Sequence, residues 1–255
     1  MHILLTNDDG IHAPGLLALV EGLRGEHELS VIAPEQEQSA VGHAITLLQP
    51  IRVKSISLCS GIRGLAVTGT PADCVKIGVA EVLSAPPDLI ISGINLGANV
   101  GIDALYSGTV SAATEGAILG VPSMAVSLDT FSDPDFEPAV AFIKGFVHQI
   151  SERPFPPSTA LNINVPAIPL SRIGGVTATR HGSSRCSERF DRRVDPRGNV
   201  YYWQAGGSPV LDENGGSDRE ALDQGKISIT PIQYDLTNYP VLEELKRWKI
   251  HVGTM

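Results

Sequence analysis

The chain has 255 residues, with 19 Lys and Arg against 28 Asp and Glu, and therefore a formal net charge of −9. This balance argues against binding to nucleic acid or to an anionic membrane through bulk charge, because such binding needs clustered cations. A small phosphorylated ligand remains compatible with it. The contents of hydrophobic residues, 42%, and of charged residues, 18%, are typical of a globular chain and exclude intrinsic disorder.

The cysteines indicate the compartment. Cys59, Cys74 and Cys186 are odd in number and form no Cys-x-x-Cys pair, which excludes a disulfide framework and a cysteine zinc site. We expect Cys59 and Cys74 in the core and the protein in a reducing cytoplasm. The first residues lack the basic region and long apolar run of a signal peptide, and they fit a first strand better.

Short apolar runs alternate with amphipathic stretches from Met1 to about Leu128, which is typical of parallel strands joined by crossover helices. The predicted fold class is α/β, a mostly parallel, doubly wound sheet flanked by helices. The expected strands are His2 to Asn7, Glu28 to Ala33, Ile51 to Ile56, Leu65 to Thr68, Asp88 to Ser92, Ser123 to Leu128, Ala160 to Val165 and Lys226 to Ile232. The expected helices are Gly15 to Arg24, Pro71 to Leu83, Ser111 to Leu119, Glu137 to Ile150 and Val241 to Trp248.

The segment from Arg180 to Gly225 is less regular and is rich in Gly, Arg, Asp and Ser. Long loops inside compact domains are usually functional or part of an interface. We expect a single domain with a core at about 1–180 and 226–235, an excursion at about 181–225 and a C-terminal element at about 236–255. Apolar side chains such as Trp203, Leu211 and Trp248 are hard to bury on a monomer, so we expect a homodimer or a larger even oligomer.

Two candidate sites follow predicted strands. Asn7-Asp8-Asp9-Gly10 places two carboxylates where ligands gather in parallel sheets, although a plain Asx turn would have the same sequence. The segment from Ile90 to Gly101 combines three glycines and two asparagines at spacings of four. It lacks the G-x-G-x-x-G fingerprint, which lowers support for dinucleotide binding, and a tight structural loop remains an alternative.

The third candidate site is Tyr106-Ser107-Gly108-Thr109-Val110-Ser111, small hydroxyl residues that lead into a predicted helix. Free N–H groups at a helix N-terminus, together with the hydroxyls, favour phosphate binding. Ser107 or Thr109 as simple N-caps would have the same local sequence.

Taken together, three segments resemble the SurE (stationary-phase survival protein) family of metal-dependent 5′-nucleotidases. They are the N-D-D-G start, the S-G-I-N-x-G-x-N-x-G-x-D-x-x-Y-S-G-T-V segment at Ser92 to Val110, and G-T-P-A-D-C at Gly69 to Cys74. The resemblance covers nearly the whole chain. It implies a Rossmann-like core, a protruding hairpin, a C-terminal element exchanged between subunits, and a homodimer or homotetramer.

Carried over by motif, the resemblance implies that Asp8, Asp9, Ser39 and Asn95 bind one divalent metal ion per subunit. Such hard oxygen ligands suit Mg²⁺, Mn²⁺ or Ca²⁺ and disfavour zinc. Asp8 and Asp9 would be catalytic through the metal, and the residues expected to hold the substrate phosphate are Asn95, Ser107, Gly108 and Thr109.

The expected reaction is hydrolysis of nucleoside 5′-monophosphates by metal-activated water, with 3′-nucleotides and short polyphosphate as further candidate substrates. Two alternatives stay open. One is a phosphatase that forms an aspartyl phosphate on Asp8, although the haloacid-dehalogenase-like enzymes that do so need D-x-D and the acids are adjacent here. The other is a nucleotide sensor without catalysis.

For several other polar and aromatic residues, a structural role is favoured over a role in catalysis or substrate binding. His12 and His43 are candidate proton relays, but loop histidines more often make structural hydrogen bonds. The aromatic stretch Tyr201-Tyr202-Trp203 fits hairpin packing better than base stacking. An interface or a solvated face is favoured over substrate binding for the arginine cluster, which consists of Arg180, Arg185, Arg189, Arg192, Arg193 and Arg197.

Overall fold

A computed structural model of the chain describes residues 1–58, 61–153, 155–212, 214–248 and 250. Its strands are β1 (His2–Thr6), β2 (Glu28–Pro34), β3 (Val53–Ser57), β4 (Arg63–Val67), β5 (Leu89–Leu96), β6 (Ser123–Asp129), β7 (Ala160–Pro166), β8 (Val176–Ala178), β9 (Arg185–Cys186), β10 (Arg189–Val194), β11 (Val200–Ala205), β12 (Pro209–Val210) and β13 (Ile227–Ile232). Its α-helices are α1 (Pro14–Leu23), α2 (Pro71–Ile77), α3 (Gly108–Ile118), α4 (Glu137–Ser151), α5 (Asp218–Asp223) and α6 (Tyr239–Leu245).

Within the described ranges, nine strands form one sheet in the order β3-β4-β2-β1-β5-β6-β7-β13-β8. The run from β4 to β7 is parallel, whereas β3 is antiparallel to β4 and β13 is antiparallel to β7. From β1 the chain builds the sheet first toward β4 and then, from β5, in the opposite direction. The switch point between β1 and β5 opens a crevice at the carboxyl ends of these strands, which is where ligands bind in such sheets.

The core has one layer on each face of the sheet, as the alternation of side chains in β1 requires. Ile3 and Leu5 belong to the layer that includes Leu16 of α1, and Leu4 belongs to the opposite layer, with Cys74 of α2. The prediction that Cys74 is a core residue is confirmed, whereas Cys59 lies outside the described residues. The predicted α/β class with a mostly parallel sheet is also confirmed.

The structure differs from the predicted elements at several ends. The helix expected from Pro71 to Leu83 is α-helical only to Ile77 and continues as a π-helical turn, Gly78–Val82. Helix α3 begins three residues before the predicted Ser111, because the Ser107 hydroxyl caps it by accepting a hydrogen bond from the Val110 N–H at 3.1 Å. The last helix begins at Tyr239, after an Asn238 cap, and ends at Leu245 rather than at Trp248.

The segment from 181 to 225 contains two antiparallel strand pairs and a short helix. β10 pairs with β11 and β9 pairs with β12, while α5 returns to the sheet with Ala221 and Leu222 buried. The fully buried carboxylate of Asp218 accepts hydrogen bonds from the N–H groups of Gly101 and Gly182, at 2.9 and 3.2 Å. The chain therefore rejoins the core before residue 226.

A buried carboxylate anchors the loop that follows β2. Glu115 of α3, only 4% exposed, accepts hydrogen bonds from His43 of this loop at 2.7 Å and from Lys76 of α2 at 3.0 Å. Burial raises the pKa of Glu115, but the bonds from His43 and Lys76 outweigh this effect and hold it below its ordinary value of 4.5. The Thr46 N–H adds a bond to buried Asp73 at 3.1 Å.

The described helices include none that is long and apolar enough to cross a membrane.

We expect Glu115→Gln to lower the free energy of unfolding by roughly 1 to 3 kcal/mol at pH 7, because it leaves Lys76 without its buried partner. Since the pKa of Glu115 is lowered on folding, the stabilisation is present above pH 4.5 and is lost as the pH falls through the folded-state pKa. Thermal unfolding of both proteins from pH 7 to pH 3 should show their difference in Tm shrinking. The matched control is Glu26→Gln, which breaks an exposed ion pair with Lys144 and should change the stability little, because solvent screens such a pair. An equal effect of the two substitutions would contradict the anchoring role of Glu115.

Candidate active site

A cavity of about 650 Å³ opens at the carboxyl ends of β1 and β5. This volume lies within the range of roughly 300 to 1,000 Å³ that is usual for small-molecule sites. Four of the predicted site residues line it, namely Asp8, Ser39, Asn95 and Ser107. The rest of the wall is formed by Ala40, Leu96, Gly97, Ala98, Asn99, Asp103, Tyr106, Phe131, Glu188, Phe190 and Gln204.

Asp8 is a nearly buried carboxylate, 4% exposed, at the N-terminus of α3. The Thr109 hydroxyl donates a hydrogen bond to its Oδ1. Burial raises the pKa of Asp8, and the bonds from the Thr109 hydroxyl and from the main-chain N–H groups of Thr109 and Gly108 partly offset that rise. The helix terminus thus compensates a charge that would otherwise be costly to bury.

Gly108, the first residue of α3, lies close against the side chain of Asp8. A Cβ atom at this position would lie 2.7 Å from the Cβ of Asp8 and 2.9 Å from its Oδ2, closer than real Cβ contacts. Only glycine therefore allows the first turn of α3 to reach the Asp8 carboxylate. The predicted phosphate residues Gly108 and Thr109 lie behind this carboxylate, and neither belongs to the cavity wall.

Asp9 is half-buried beside Asp8 and is likewise not part of the cavity wall. Burial, followed by the charges of Asp8 and Glu37, raises the pKa of Asp9 to about 6, and the main-chain N–H of Leu96 opposes this rise. Two adjacent carboxylates are therefore held close enough to repel each other.

Ser39 lies on the loop after β2, which is fixed to the end of β1. The Gln38 N–H donates to the main-chain oxygen of Asp8 at 2.7 Å, and the Ser39 hydroxyl donates to Glu37 at 2.6 Å. The next residue, Ala40, has a positive φ of 57°. Ser39 is exposed and so presents its hydroxyl at the mouth of the cavity.

Asn95 is held at the end of β5 by its own amide group. Its Nδ2 donates to the main-chain oxygens of Leu96 and Gly97, at 3.2 and 2.8 Å. With the nitrogen used in this way, the side-chain oxygen is the atom left to face a cation or a donor. The strand ladder shifts register between Ser92 and Asn95, which places Asn95 beyond the regular part of β5.

Asn99 holds the loop after β5 against β6 and β7 through hydrogen bonds that the sequence did not predict. Its main-chain N–H donates to Asn164 at 2.8 Å and its amide donates to Ser127 at 2.8 Å, while Asn162 donates to its main-chain oxygen at 2.7 Å. These partners lie on β6 and β7 and are fully buried. The pattern Asn162-x-Asn164 inside an apolar strand is the sequence signal that could have indicated such a network.

The outer wall of the cavity comes from the residues after β6 and from the excursion at about 181–225, in which the sequence indicated no individual ligand-binding residue. Phe131 follows β6, while Phe190 and Gln204 belong to the β10–β11 hairpin. Asp103 and Glu188 add two further carboxylates. Asp103 belongs to the recognised segment from Ser92 to Val110, although no role was assigned to it, whereas Phe131, Glu188, Phe190 and Gln204 lie outside the recognised motifs.

The charged side chains described at this cavity are acidic. Its described wall contains the carboxylates of Asp8, Asp103 and Glu188, and Asp9 and Glu37 lie close by, but it includes no Lys or Arg. No three side chains of His, Cys, Asp and Glu are grouped as a metal-binding cluster in the described part of the chain. The oxygens gathered here are of mixed type, from carboxylate, hydroxyl and amide groups.

The histidines, the arginine cluster and the aromatic stretch that the sequence offered as further candidates do not line this cavity. His12 is exposed, and His43 bonds to Glu115 rather than lining this cavity. Arg180 pairs with Asp212 at 2.8 Å, and none of the six clustered arginines belongs to the described cavity wall. Tyr201, Tyr202 and Trp203 are exposed on β11 and are not part of the wall either.

Comparison with known proteins identifies the family. The family described as Survival protein SurE matches residues 3–188. A relative named 5′-nucleotidase SurE from Syntrophobacter fumaroxidans is 51% identical over 250 residues, covering 98% of this chain and 100% of the relative. Its namesake from Syntrophus aciditrophicus is 53% identical over 247 residues, covering 96% and 93%. The crystal structure of the SurE protein from Aquifex aeolicus matches with a TM-score of 0.83 and 38% identity, covering 96% of this chain and 98% of that one. The chain belongs to the SurE family.

Proposed function

We propose that this protein is a divalent-metal-dependent 5′-nucleotidase, which hydrolyses the phosphate monoester of nucleoside monophosphates. Its full-length relatives carry the name 5′-nucleotidase SurE. The observation that carries the metal dependence is the acidic cavity, whose described wall offers carboxylates and no cationic side chain. A phosphate ester is itself an anion, so such a cavity would repel it unless a cation compensates the charge.

The residues at the cavity fit such a cation. Asp8, Asp9, Ser39 and Asn95 supply hard oxygen atoms, which suit Mg²⁺, Mn²⁺ or Ca²⁺, and we propose these four as the metal ligands. When bound, a divalent ion would polarise the phosphoryl group and lower the pKa of a water molecule. Burial and, after it, the charge of Asp8 raise the pKa of Asp9, and a cation would relieve the repulsion between the two carboxylates.

The chain's own residues orient the reacting groups. Thr109 fixes the rotamer of Asp8 by donating to Oδ1, and it acts from within the protein because it is fully buried. Ser107 lines the cavity, and its hydroxyl accepts the bond from the Val110 N–H, so the hydroxyl proton is free to be donated to a phosphate oxygen. Asn95, whose amide nitrogen donates to the main chain, lines the same cavity.

The spacing of the two acids supports this mechanism over an aspartyl phosphate intermediate. The haloacid-dehalogenase-like enzymes that form such an intermediate need D-x-D, whereas Asp8 and Asp9 are adjacent. Trapping a phosphorylated Asp8 would support the alternative. Absence of phosphate release from every nucleotide tested would support a sensor.

The proposal also covers the oligomeric state and the cellular compartment of the protein. We infer a single domain that forms a homodimer or homotetramer, because the hairpin and α6 expose apolar side chains including Trp203, Leu211 and Trp248, and no described residue of α6 is buried. Both described cysteines, Cys74 and Cys186, are free thiols, which supports a reducing cytoplasm.

The test of the proposed function is phosphate release from a panel of 5′- and 3′-monophosphates and short polyphosphate. We expect 5′-nucleotides to be hydrolysed with added Mn²⁺, EDTA to abolish the reaction reversibly, and Asp8→Asn to lower kcat by about a hundredfold or more. Mn²⁺ titration by calorimetry, which needs no turnover, should show weaker binding to Asp8→Asn. Full activity in metal-free protein would overturn the proposal, as would wild-type turnover in this variant.

A second prediction separates the two roles of Ser107. Alanine removes both the helix cap and the phosphate donor, whereas glycine loses the donor but costs only a few tenths of a kcal/mol as a cap. We therefore expect Ser107→Gly to keep a Tm near that of the wild type while kcat/KM falls roughly tenfold or more, as for loss of a hydrogen bond to a charged group. Unchanged kinetics in Ser107→Gly would show that the hydroxyl only caps α3.

The third prediction concerns Thr109 as a positioning residue. Thr109→Val keeps the shape of the side chain and removes the donor to Asp8, so we expect Mn²⁺ affinity to fall about tenfold. Thr109→Ser retains a hydroxyl and should recover most of that affinity. Calorimetry measures both, and equal Mn²⁺ binding by the valine and serine variants would contradict the assignment.

A further inference from the structure

The cavity has two chemically different parts. Its floor is polar and carries Asp8, Asn95 and Ser107, whereas its outer wall carries the phenyl rings of Phe131 and Phe190. A ligand that fills both parts combines a polar or charged group with an apolar or aromatic group, and a nucleotide is such a ligand. If the phosphate of the proposed substrate lies at the floor, as the proposed function requires, the outer wall faces the part of the substrate remote from the phosphate.

Phe131 is held in a defined place although it is 86% exposed. Its ring lies against the backbone of Gly97, in space that a Cβ atom at position 97 would occupy. The main-chain oxygen of the same Gly97 accepts the Asn95 amide at 2.8 Å, so the ring and the polar floor share one rigid support. An exposed phenyl ring of this kind is a surface that gains free energy when a ligand covers it.

Phe190 and Gln204 approach from the hairpin as a cross-strand pair. Directly paired residues lie on the same face of an antiparallel ladder, and both line the cavity. Trp203 and its partner Asp191 are one residue away along each strand and therefore lie on the opposite face. The Gln204 amide carries both donors and an acceptor, which suits the edge of a heterocycle.

We propose that Phe131 and Phe190 bind the nucleobase of the substrate, with Phe131 as the stacking surface and Gln204 facing the edge of the base. These residues make the enzyme selective for nucleotides over simple sugar phosphates. The stretch Tyr201-Tyr202-Trp203 does not line the cavity and takes no part in this recognition.

The test compares kcat/KM for adenosine 5′-monophosphate with kcat/KM for ribose 5-phosphate, which carries the same phosphate ester without a base. Phe131→Leu should reduce the ratio of the two values about 10- to 100-fold, as expected for loss of one base-stacking side chain, almost entirely through the nucleotide. Phe131→Trp should retain the ratio. The matched control is Trp203→Leu, a change of similar kind on the other face of the hairpin, which should leave the ratio unchanged.

A binding measurement tests recognition of the base independently of turnover. Adenosine, which has no phosphate, should bind the wild type in calorimetry and bind Phe131→Leu and Phe190→Leu at least about tenfold more weakly. An unchanged substrate ratio together with unchanged adenosine binding in both variants would overturn the proposal. If the wild type bound adenosine through these residues but released no phosphate from any ester, the proposed function would fail while base recognition stood.

Discussion

The contact between the Asp8 carboxylate and the first turn of α3 is the interaction on which the site depends. An ionised carboxylate loses several kcal/mol of hydration when it is buried, so it stays charged only where donors replace the water. Here the replacement comes from the Thr109 hydroxyl and the main-chain N–H groups of Gly108 and Thr109. The contact joins the end of β1 to α3, and it requires a residue without a Cβ at position 108.

The other elements of the site are arranged around that contact. The loop after β2 is bonded to the main chain of Asp8 through Gln38, and Glu115 and Asp73 anchor its distal part to α3 and α2. Within the loop after β5, Asn99 is hydrogen-bonded to side chains of β6 and β7 and so holds the loop in place. Hydrogen bonds thus hold three loops that follow separate strands. This gives the oxygen atoms at the cavity a defined geometry without filling it.

The sequence predicted eight of the nine strands of the sheet, all but β8, and it predicted polar residues at the ends of β1 and β5. Buried parallel strands are continuous apolar runs, and Asp8 and Asn95 lie where such strands end, so periodicity and position predicted both the strands and the crevice. The predicted start of α3, Ser111, lies three residues after the observed one, although Ser107 as an N-cap is one of the alternatives that the sequence offers. Phe131, Phe190 and Gln204 could not be found in this way. Their place at the cavity depends on how the hairpin and the loop after β6 fold back, and no local pattern encodes that long-range contact.

The position of β13 has a consequence for how this chain tolerates change. β13 pairs with β7 in the sheet, yet the whole excursion with its strand pairs and α5 lies between them in sequence. The entropy of closing such a loop grows only logarithmically, so doubling or halving its length alters the closure free energy by about 0.6 kcal/mol. Insertions and deletions in the hairpin are therefore nearly neutral for stability, whereas loss of β13 would expose β7 as an unpaired edge. The wall of the cavity can diversify in evolution while the sheet that carries the chemistry remains constant.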